Sequence, residues 1–260
     1  MTEFSGQADA DRVLPLLWRN AAPAAAGPPV GRPPRLTVDA VVAAATALAD
    51  AEGLAAMSMA RVAAAHGVGT MTLYGYVPSR VELIDLMVDD VLLRHALPGP
   101  GEPRPDGWRA QIELYDRRTR AMYETHPWLG QISVIRPPLG PGMLAESEYV
   151  LSTVAGLGLP PRQVDAAAVA VTGMVVSAAR RAAEDLRLRR STGESTDAWW
   201  NRGNRLWEEY FDPARHPTMN RLWHEGGYDA DADEQAGRGH AFGLTALLDG
   251  IEAAAARARG

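Results

Sequence analysis

Apolar residues recur at helical spacing along most of this 260-residue chain. Such spacing places them on one face of a helix. Thr37 precedes one of these stripes and is a typical N-cap, because its hydroxyl can accept a hydrogen bond from the first turn. No stretch alternates with period two, so the pattern predicts an all-α fold. The helices are expected over about 38–52, 79–95, 108–125, 143–155, 161–190, 199–210 and 240–259.

Proline and glycine divide the chain into parts. Residues 97–107 are so rich in both that they cannot be helical, and we expect a loop there at a domain boundary. Residues 1–35 are rich in Ala, Pro and Gly, and we expect a flexible N-terminal arm with a short apolar island at 13–18. The predicted parts are therefore the arm at 1–35, an N-terminal domain at 36–96 and a C-terminal domain at 107–260.

The end of the chain is expected to close the C-terminal domain. An acidic loop is predicted over 229–234, and the last helix follows it. The side chains expected to face the core from that helix are Phe242, Leu244, Leu247, Leu248 and Ile251.

Two short helices are predicted between residues 58 and 80. Ser58 can cap the first helix, and Gly67 can end it because a positive φ costs glycine little. The second helix is expected from about Thr70 to Tyr76. Two short helices joined by a glycine-containing turn form a helix-turn-helix, whose second helix has the right size for the major groove of DNA.

The second of these helices carries side chains that suit contacts with DNA. Threonine hydroxyls can bond base edges or phosphates, and a methionine can contact the thymine methyl group. Tyrosine hydroxyls suit phosphates, which set the register but not the sequence. The predicted contacts are Thr70, Met71, Thr72, Tyr74 and Tyr76, whereas Leu73 and Val77 are predicted core residues. The residues alone leave open, and even favour, an ordinary helical turn with exposed aromatic side chains.

The same window resembles the DNA-binding domain of the TetR family of bacterial repressors. The likeness extends upstream to Leu36-Thr37 and residues 49–53, and downstream to about His95. The sequences His-Pro-Trp at 126–128 and Phe-Gly-Leu at 242–244 are similar to the effector domain of the tetracycline-repressor branch. The matching residues of the window are Ala63, Gly67, Val68, Thr72, Leu73, Tyr74, Tyr76, Val77, Arg80, Leu83 and Ile84.

The resemblance implies a three-helix DNA-binding domain with a helix-turn-helix, followed by a helical domain for effector binding and dimerisation. It implies a ligand-responsive transcriptional repressor that binds double-stranded operator DNA. Arg80 then takes the place of a phosphate clamp, and Arg61 contacts DNA from the preceding helix. Ser58 is a further predicted DNA contact. Ala60, where many relatives carry Arg, and Gly75 depart from the family pattern.

Two arginines at the end of the predicted arm add a further hypothesis. Arg32 and Arg35 lie just before the first helix of the N-terminal domain. Arms in this position follow the DNA backbone or enter the minor groove in other helix-turn-helix proteins. The alternative is a flexible tail whose apolar segment at 13–18 is merely sticky.

Small residues line the predicted helix at 161–190, and they allow another helix to approach closely. Packing within one subunit is one interpretation. The resemblance implies instead a homodimer, held by a bundle of two helices from each subunit. Two recognition helices would then enter successive major grooves, and the operator would be a near-palindrome.

The C-terminal region also supplies candidates for an effector cavity. The main candidates are His126, Trp128, Met143, Met174, Trp199 and Trp207, and Trp200, Phe211 and His216 are further ones. Plain core packing is the alternative, since Trp and Met at helical spacing usually pack. An effector that prefers the conformation with mis-spaced recognition helices would shift the population away from DNA. The helix at 79–95 is the expected lever, because it joins both parts.

Composition narrows the function classes. All 26 basic residues are arginine, and the net charge is −6, which argues against a general nucleic-acid coat protein but not against a specific DNA reader. There is no cysteine, so disulfides and thiolate chemistry are excluded. No uninterrupted apolar run of membrane-spanning length and no secretory signal stand out. We therefore expect a cytoplasmic protein that binds no membrane.

No motif for catalysis or for a cofactor accompanies the helix-turn-helix. The histidines lack metal-ligand spacing, and neither a nucleophile elbow nor a phosphate-binding loop is present. The chain is therefore expected to be no enzyme and to need no metal or cofactor. The competing hypothesis is a motif-free helical small-molecule-binding protein or enzyme with a vestigial helix-turn-helix.

Overall fold

The computed structural model of the chain describes residues 3–20, 36–133 and 135–259, and it confirms the all-α fold. Short 3-10 turns cover Leu54–Ala56 and Pro127–Gln131, and a π-helical turn covers Leu206–Tyr210. The helices of the described residues are α1 (Ala10–Leu17), α2 (Val38–Glu52), α3 (Met59–Ala65), α4 (Thr70–Tyr74), α5 (Arg80–Leu93), α6 (Trp108–Thr125), α7 (Pro141–Ala155), α8 (Pro161–Thr192), α9 (Thr196–Arg202), α10 (Pro217–His224) and α11 (Ala232–Arg259).

Helix ends that have strong local signals lie where the sequence predicts them. The Thr37 side chain caps α2 by accepting a hydrogen bond from the backbone N–H of Ala40 at 3.1 Å. Helix α6 has the predicted bounds, since it begins after the 97–107 loop and ends just before Pro127. These ends depend on residues within one or two positions of the boundary.

The segment after α8 differs from the prediction. The helix expected over 199–210 is two elements, α9 and the π-helical turn, and α10 was not predicted. Helix α11 begins at Ala232, inside the predicted acidic loop, because the Asp231 side chain accepts a hydrogen bond from Glu234 N–H at 2.8 Å. Phe242 is 79% exposed, so the prediction that it faces the core was wrong.

The beginning of the chain is also ordered, which corrects the expectation of a flexible arm for residues 3–20. Strand β1 (Glu3–Phe4) pairs in parallel with β2 (Ile132–Ser133). Each strand has only two residues, which is too short to leave a period-two signal in the sequence. The apolar island forms α1, and its Val13 and Leu17 are buried in the core beside α5. We call residues 3–20 the strap. Residues 21–35, with Arg32 and Arg35, lie outside the described residues.

Two cores are built from these helices. One contains the apolar side chains of α1 to α5, and it also takes in Tyr123, Trp128 and Ala179 from the C-terminal part. The other lies between α6, α7, α8 and α11. Helices α6 and α8 therefore contribute to both cores, and the N-terminal helices rest directly on the C-terminal part.

Helix α8 is long and apolar enough to span a membrane by length and composition, with a mean hydropathy of 1.2 in its most apolar window. The apolar residues of α8 form no uninterrupted run of that length, so the sequence pattern does not predict a membrane span there. In the structure its side chains Val171, Val175 and Ala179 are completely buried, and the helix packs against α6, α7 and α11. Core helices of globular domains pass the same compositional test.

Candidate DNA-binding surface and effector cavity

Helices α3 and α4 form the predicted helix-turn-helix. The Ser58 hydroxyl accepts a hydrogen bond from the backbone N–H of Arg61 at 3.3 Å and so caps α3. Gly67 adopts a φ of +63°, which turns the chain toward α4. Leu73 and Val77 are fully buried, which confirms the prediction that they anchor this helix in the core.

Helix α4 presents its other side chains to solvent. Met71 is 82% exposed and Tyr74 is 41% exposed. Thr72 is exposed as well, whereas Thr70 and Tyr76 are half-buried. The helix ends at Tyr74, two residues earlier than predicted, and a tight turn carries the chain on to Tyr76. A short helix anchored on one face and exposed on the other has the shape that groove binding requires.

Arg61 lies on the surface beside this helix. Its guanidinium forms a two-point ion pair with Glu52, with N–O distances of 2.6 and 2.8 Å. The hydrogen bond from Arg61 lowers the pKa of Glu52. Both side chains are about half exposed, so a phosphate could replace the carboxylate at little cost.

The side chain of Arg80 is 32% exposed and is bound by other parts of the domain, which differs from the expectation of a freely exposed phosphate clamp. Its Nη2 donates to the carbonyl oxygen of Leu54 at 3.0 Å, and its Nε donates to that of Met57 at 3.2 Å. Its Nη1 pairs with the carboxylate of Glu3 in the strap. Arg80 therefore joins the 54–56 turn, the strap and the start of α5.

A cavity of about 1070 Å³ opens between α6, α8, α9 and α11. Met174 and Trp200 give its wall an apolar part, while Arg120, Arg189 and His240 give it a polar part. Its volume is at the upper end of the range of small-molecule sites. Among the wall residues, the sequence predicts Met174 and Trp200 for a cavity. It does not predict the arginines of the wall, because these come together only through packing of helices that are far apart in the sequence.

The polar wall is organised by Asp116, a buried residue of α6. One carboxylate oxygen accepts a hydrogen bond from His240 Nε2 at 2.7 Å, and the other accepts one from Arg120 at 2.9 Å. The neighbouring Tyr115 points into the second core and donates to Glu146 of α7 at 3.0 Å. Asp116 and Tyr115 therefore connect the cavity wall with α7.

His95, two residues after the end of α5, is buried beside Tyr115. Its Nε2 lies 3.4 Å from the hydroxyl of Thr119, while its Nδ1 has no partner within the part of the chain that the structure describes. Burial lowers the pKa of His95 to about 4. The ring is therefore neutral at physiological pH.

Most of the predicted cavity residues lie elsewhere, which corrects those predictions. His126 Nδ1 and Trp128 Nε1 both bond one oxygen of Asp50 on α2, at 2.8 and 2.7 Å, so they join α2 to the C-terminal part. Their His-Pro-Trp motif identifies a contact between the two parts and not a ligand wall.

Three further predicted cavity residues are also absent from the wall. The backbone N–H of Met143 lies at the first turn of α7, next to Asp89. Trp199 packs edge-on against Trp200 and is 52% exposed, and Trp207 stacks on Trp223. The indole rings pair mainly with one another along the segment from α9 to α10.

A second groove, of about 690 Å³, runs between the first half of α8 and the second half of α11. Nearby on α8, Val169 is 64% exposed, although it is apolar. The groove is lined by Leu159, Ala166, Leu247, Gly250, Ile251 and Ala254.

Within the described residues, no group of three or more His, Asp or Glu side chains converges as a metal site requires.

Family models match both parts of the chain. The model described as "Bacterial regulatory proteins, tetR family" matches residues 41–87. The model described as "Tetracyclin repressor-like, C-terminal domain" matches residues 99–255. The first match contains the exposed helix α4. The second contains α8 and most of α11, with the cavity beside them.

Relatives and solved structures agree with these matches. The HTH-type transcriptional repressor DrrR1 of Streptomyces coeruleorubidus is 39% identical over 259 residues, which cover 100% of this chain and 92% of the relative. Apo ActR from Streptomyces coelicolor superposes with a TM-score of 0.68 at 26% identity, covering 87% of this chain and 100% of ActR. The complex of ActR with actinorhodin gives a TM-score of 0.66 at 28% identity, covering 85% and 98%.

Proposed function

The chain belongs to the TetR family of bacterial regulatory proteins, and we propose that it represses transcription until a small-molecule effector releases it from operator DNA. The observation that carries this proposal is the anchored, solvent-facing α4 in a chain similar over its full length to a repressor. This reading is favoured over a motif-free binding protein or enzyme, because both family models describe a regulator.

The proposed DNA-binding surface centres on α4. Its contacts are Thr70, Met71, Thr72, Tyr74 and Tyr76, with Ser58 and Arg61 at the edge of α3. Arg80 acts by positioning the start of α5, because its guanidinium donates to the carbonyl oxygens of Leu54 and Met57. Contacts from Arg32 and Arg35 remain a prediction for residues outside the described ranges.

The proposed effector site is the 1070 Å³ cavity beside Asp116. Its wall favours an aromatic molecule that carries polar oxygen groups, because Trp200 offers a stacking face and the arginines offer donors. The likeness to ActR, which binds actinorhodin, supports a ligand of this kind.

We also infer a homodimer that acts in the cytoplasm on a near-palindromic operator. The groove between α8 and α11 and the exposed Val169 offer a small-residue, apolar face for a second copy. A two-fold pair of α4 helices would then meet two half-sites related by the same symmetry.

The DNA-binding surface is tested with duplexes selected by the purified chain from a random pool. Tyr74→Phe should weaken binding to the selected duplex about tenfold, because a hydrogen bond to a charged phosphate contributes about 1.5 kcal/mol. The matched control is Tyr210→Phe, which alters a tyrosine that is 70% exposed in the C-terminal part. Equal affinities of both variants and the parent would contradict the proposed surface, and failure to select any duplex would contradict the function.

The effector site is tested by titrating actinorhodin into the complex of chain and duplex. Release of the duplex by the parent chain, and its loss on Trp200→Ala, is the expected result, because this change removes the aromatic wall of the cavity. Retention of the duplex at saturating actinorhodin would contradict the proposed ligand class but leave the DNA-binding function standing.

A further inference from the structure

Helix α5 carries two buried carboxylates on successive turns, Asp85 and Asp89. Asp85 accepts a hydrogen bond from the backbone N–H of Gly6 in the strap at 2.8 Å. Asp89 accepts one from the backbone N–H of Met143, in the first turn of α7, at 3.1 Å. Each carboxylate therefore binds backbone from a different segment. Asp89 is the one that reaches the core helices of the C-terminal part.

The first turn of α7 rests directly on the backbone of α5. A Cβ at Gly142 would overlap the carbonyl oxygen of Asp89, and a Cβ at Gly140 would overlap its carboxylate. Gly140 occupies the N-cap position of α7 and has no side chain with which to cap the helix. The carboxylate of Asp89 takes over that role, and its negative charge suits the positive end of the α7 dipole.

The same α7 is connected to the cavity wall. One turn further along it, Glu146 accepts the hydrogen bond from Tyr115. Tyr115 adjoins Asp116, which holds the wall residues His240 and Arg120. The first two turns of α7 therefore lie between the wall of the cavity and the middle of α5, and α5 leads back to the helix-turn-helix.

We propose that Asp89 is a positioning residue that couples the effector cavity to the DNA-binding surface by fixing the N-terminus of α7 on α5. This inference rests on the proposed function and specifies its regulation. The contact transmits displacement because the close approach at Gly140 and Gly142 leaves no space between the two helices, and because removing the carboxylate of Asp89 takes away the acceptor of the Met143 N–H. A shift of α7 at Glu146 therefore moves α5 as well.

Coupling between two sites is reciprocal, so it is measurable from the DNA side without the natural effector. The probe is the duplex selected by the parent chain, and the readout is hydrogen exchange of peptides from the first two turns of α7. In the parent, duplex binding should slow this exchange about fivefold or more, the lower end of ordinary coupling. Asp89→Ala should abolish the DNA-induced change while the affinity for the duplex stays close to that of the parent.

The matched control is Asp90→Asn, because Asp90 is the next residue of α5 and pairs with Arg94. It should respond to DNA as the parent does. If Asp89→Ala fails to fold, Asp89→Asn replaces it, since Asn keeps one acceptor oxygen and loses the charge. A smaller loss of coupling in the same direction is then expected.

The outcomes separate this inference from the function it rests on. If no duplex is selected, the proposed function fails and the coupling fails with it. If the parent binds DNA but α7 exchange does not respond, or if the Asp89 variants respond as the parent does, the function stands and the coupling role of Asp89 is overturned. A merely structural role would change the absolute exchange rate of α7 but not its response to DNA.

Discussion

Arg61 and Arg80 flank the recognition helix and are held in different ways. Arg61 forms an exposed ion pair with Glu52 and a long, exposed hydrogen bond to the Ala56 carbonyl at 3.3 Å, whereas Arg80 donates to two part-buried carbonyl oxygens and to Glu3. Because Glu3 is 77 positions away in sequence, no local pattern could identify this partner. The motif predicts where Arg80 lies on the chain, but its role depends on the tertiary fold.

Removing Arg80 should therefore affect folding before it affects DNA binding. Arg80→Ala removes the donor to the Met57 carbonyl and one of the two donors to the Leu54 carbonyl, and it should lower the free energy of unfolding by about 2 kcal/mol. Denaturant unfolding followed by circular dichroism measures this. Arg61→Ala, the control, should unfold as the parent does. Equal stability of the two variants would show that the interior bonds of Arg80 contribute nothing.

His95 gives the protein a dependence of stability on pH. Its pKa is about 4 in the folded chain and 6.5 when unperturbed, so the unfolded chain binds the extra proton between these values. The stability that neutral His95 provides is therefore present above pH 6.5 and is lost as the pH falls toward 4.

The parent is compared with His95→Gln, which has no titrating ring. Between pH 7 and pH 4, the unfolding free energy of the parent should fall relative to that of the variant by up to about 3 kcal/mol. The acidic groups Asp85, Asp89 and Glu146, whose pKa values burial raises, are common to both chains and cancel in the difference. Parallel pH curves would mean that His95 is solvated.

At the scale of elements, the strap adds a helix and a strand to the fold. Sequence composition favoured disorder because Ala, Pro and Gly dominate residues 1–35. Helix α1 is only eight residues long, and an isolated helix of that length is unstable in water. Its stability comes from packing on α5, which sequence alone does not show. By contrast, the bounds of α6 follow from the adjacent loop and Pro127, and they were predictable.

The strap should thus contribute to global stability. Leu17→Ala removes a side chain that is 3% exposed, and it should cost about 2–3 kcal/mol, as expected for a buried leucine. Leu16→Ala, on the same turn but half-buried, should cost clearly less. Thermal unfolding of both variants tests this, and equal melting temperatures would show that α1 does not pack as described.

At the scale of the whole molecule, the DNA-binding and effector parts are not independent bodies. The His126 and Trp128 bonds to Asp50, the Asp89 contact with α7 and the strap all cross between them. The sequence predicted the recognition helix and most other helices on both sides, but not α1 or α10. It could not predict these contacts, since each joins residues far apart in the chain and depends on side chains that have other roles elsewhere.

The faces of α8 and α11 lead to a prediction about assembly. Val169 is 64% exposed in one chain, so an arginine there should not disturb the fold of that chain. If a second copy covers this face, Val169→Arg buries an unpaired charge in the interface, and the chain should sediment as a folded monomer while the parent sediments as a dimer. Leu144→Arg, on the exposed side of α7, is the control and should remain dimeric.

Operator binding should follow the same pattern as assembly. A linked pair of recognition helices binds two half-sites far more tightly than a single one, because the second contact is intramolecular. Val169→Arg should therefore lose affinity for a two-site duplex but bind a single half-site as the parent does, with Tyr74 and the rest of α4 unchanged. A dimeric Val169→Arg chain with parent-like affinity would place the interface on another face, and the near-palindrome expected from α8 and α11 would lose its support.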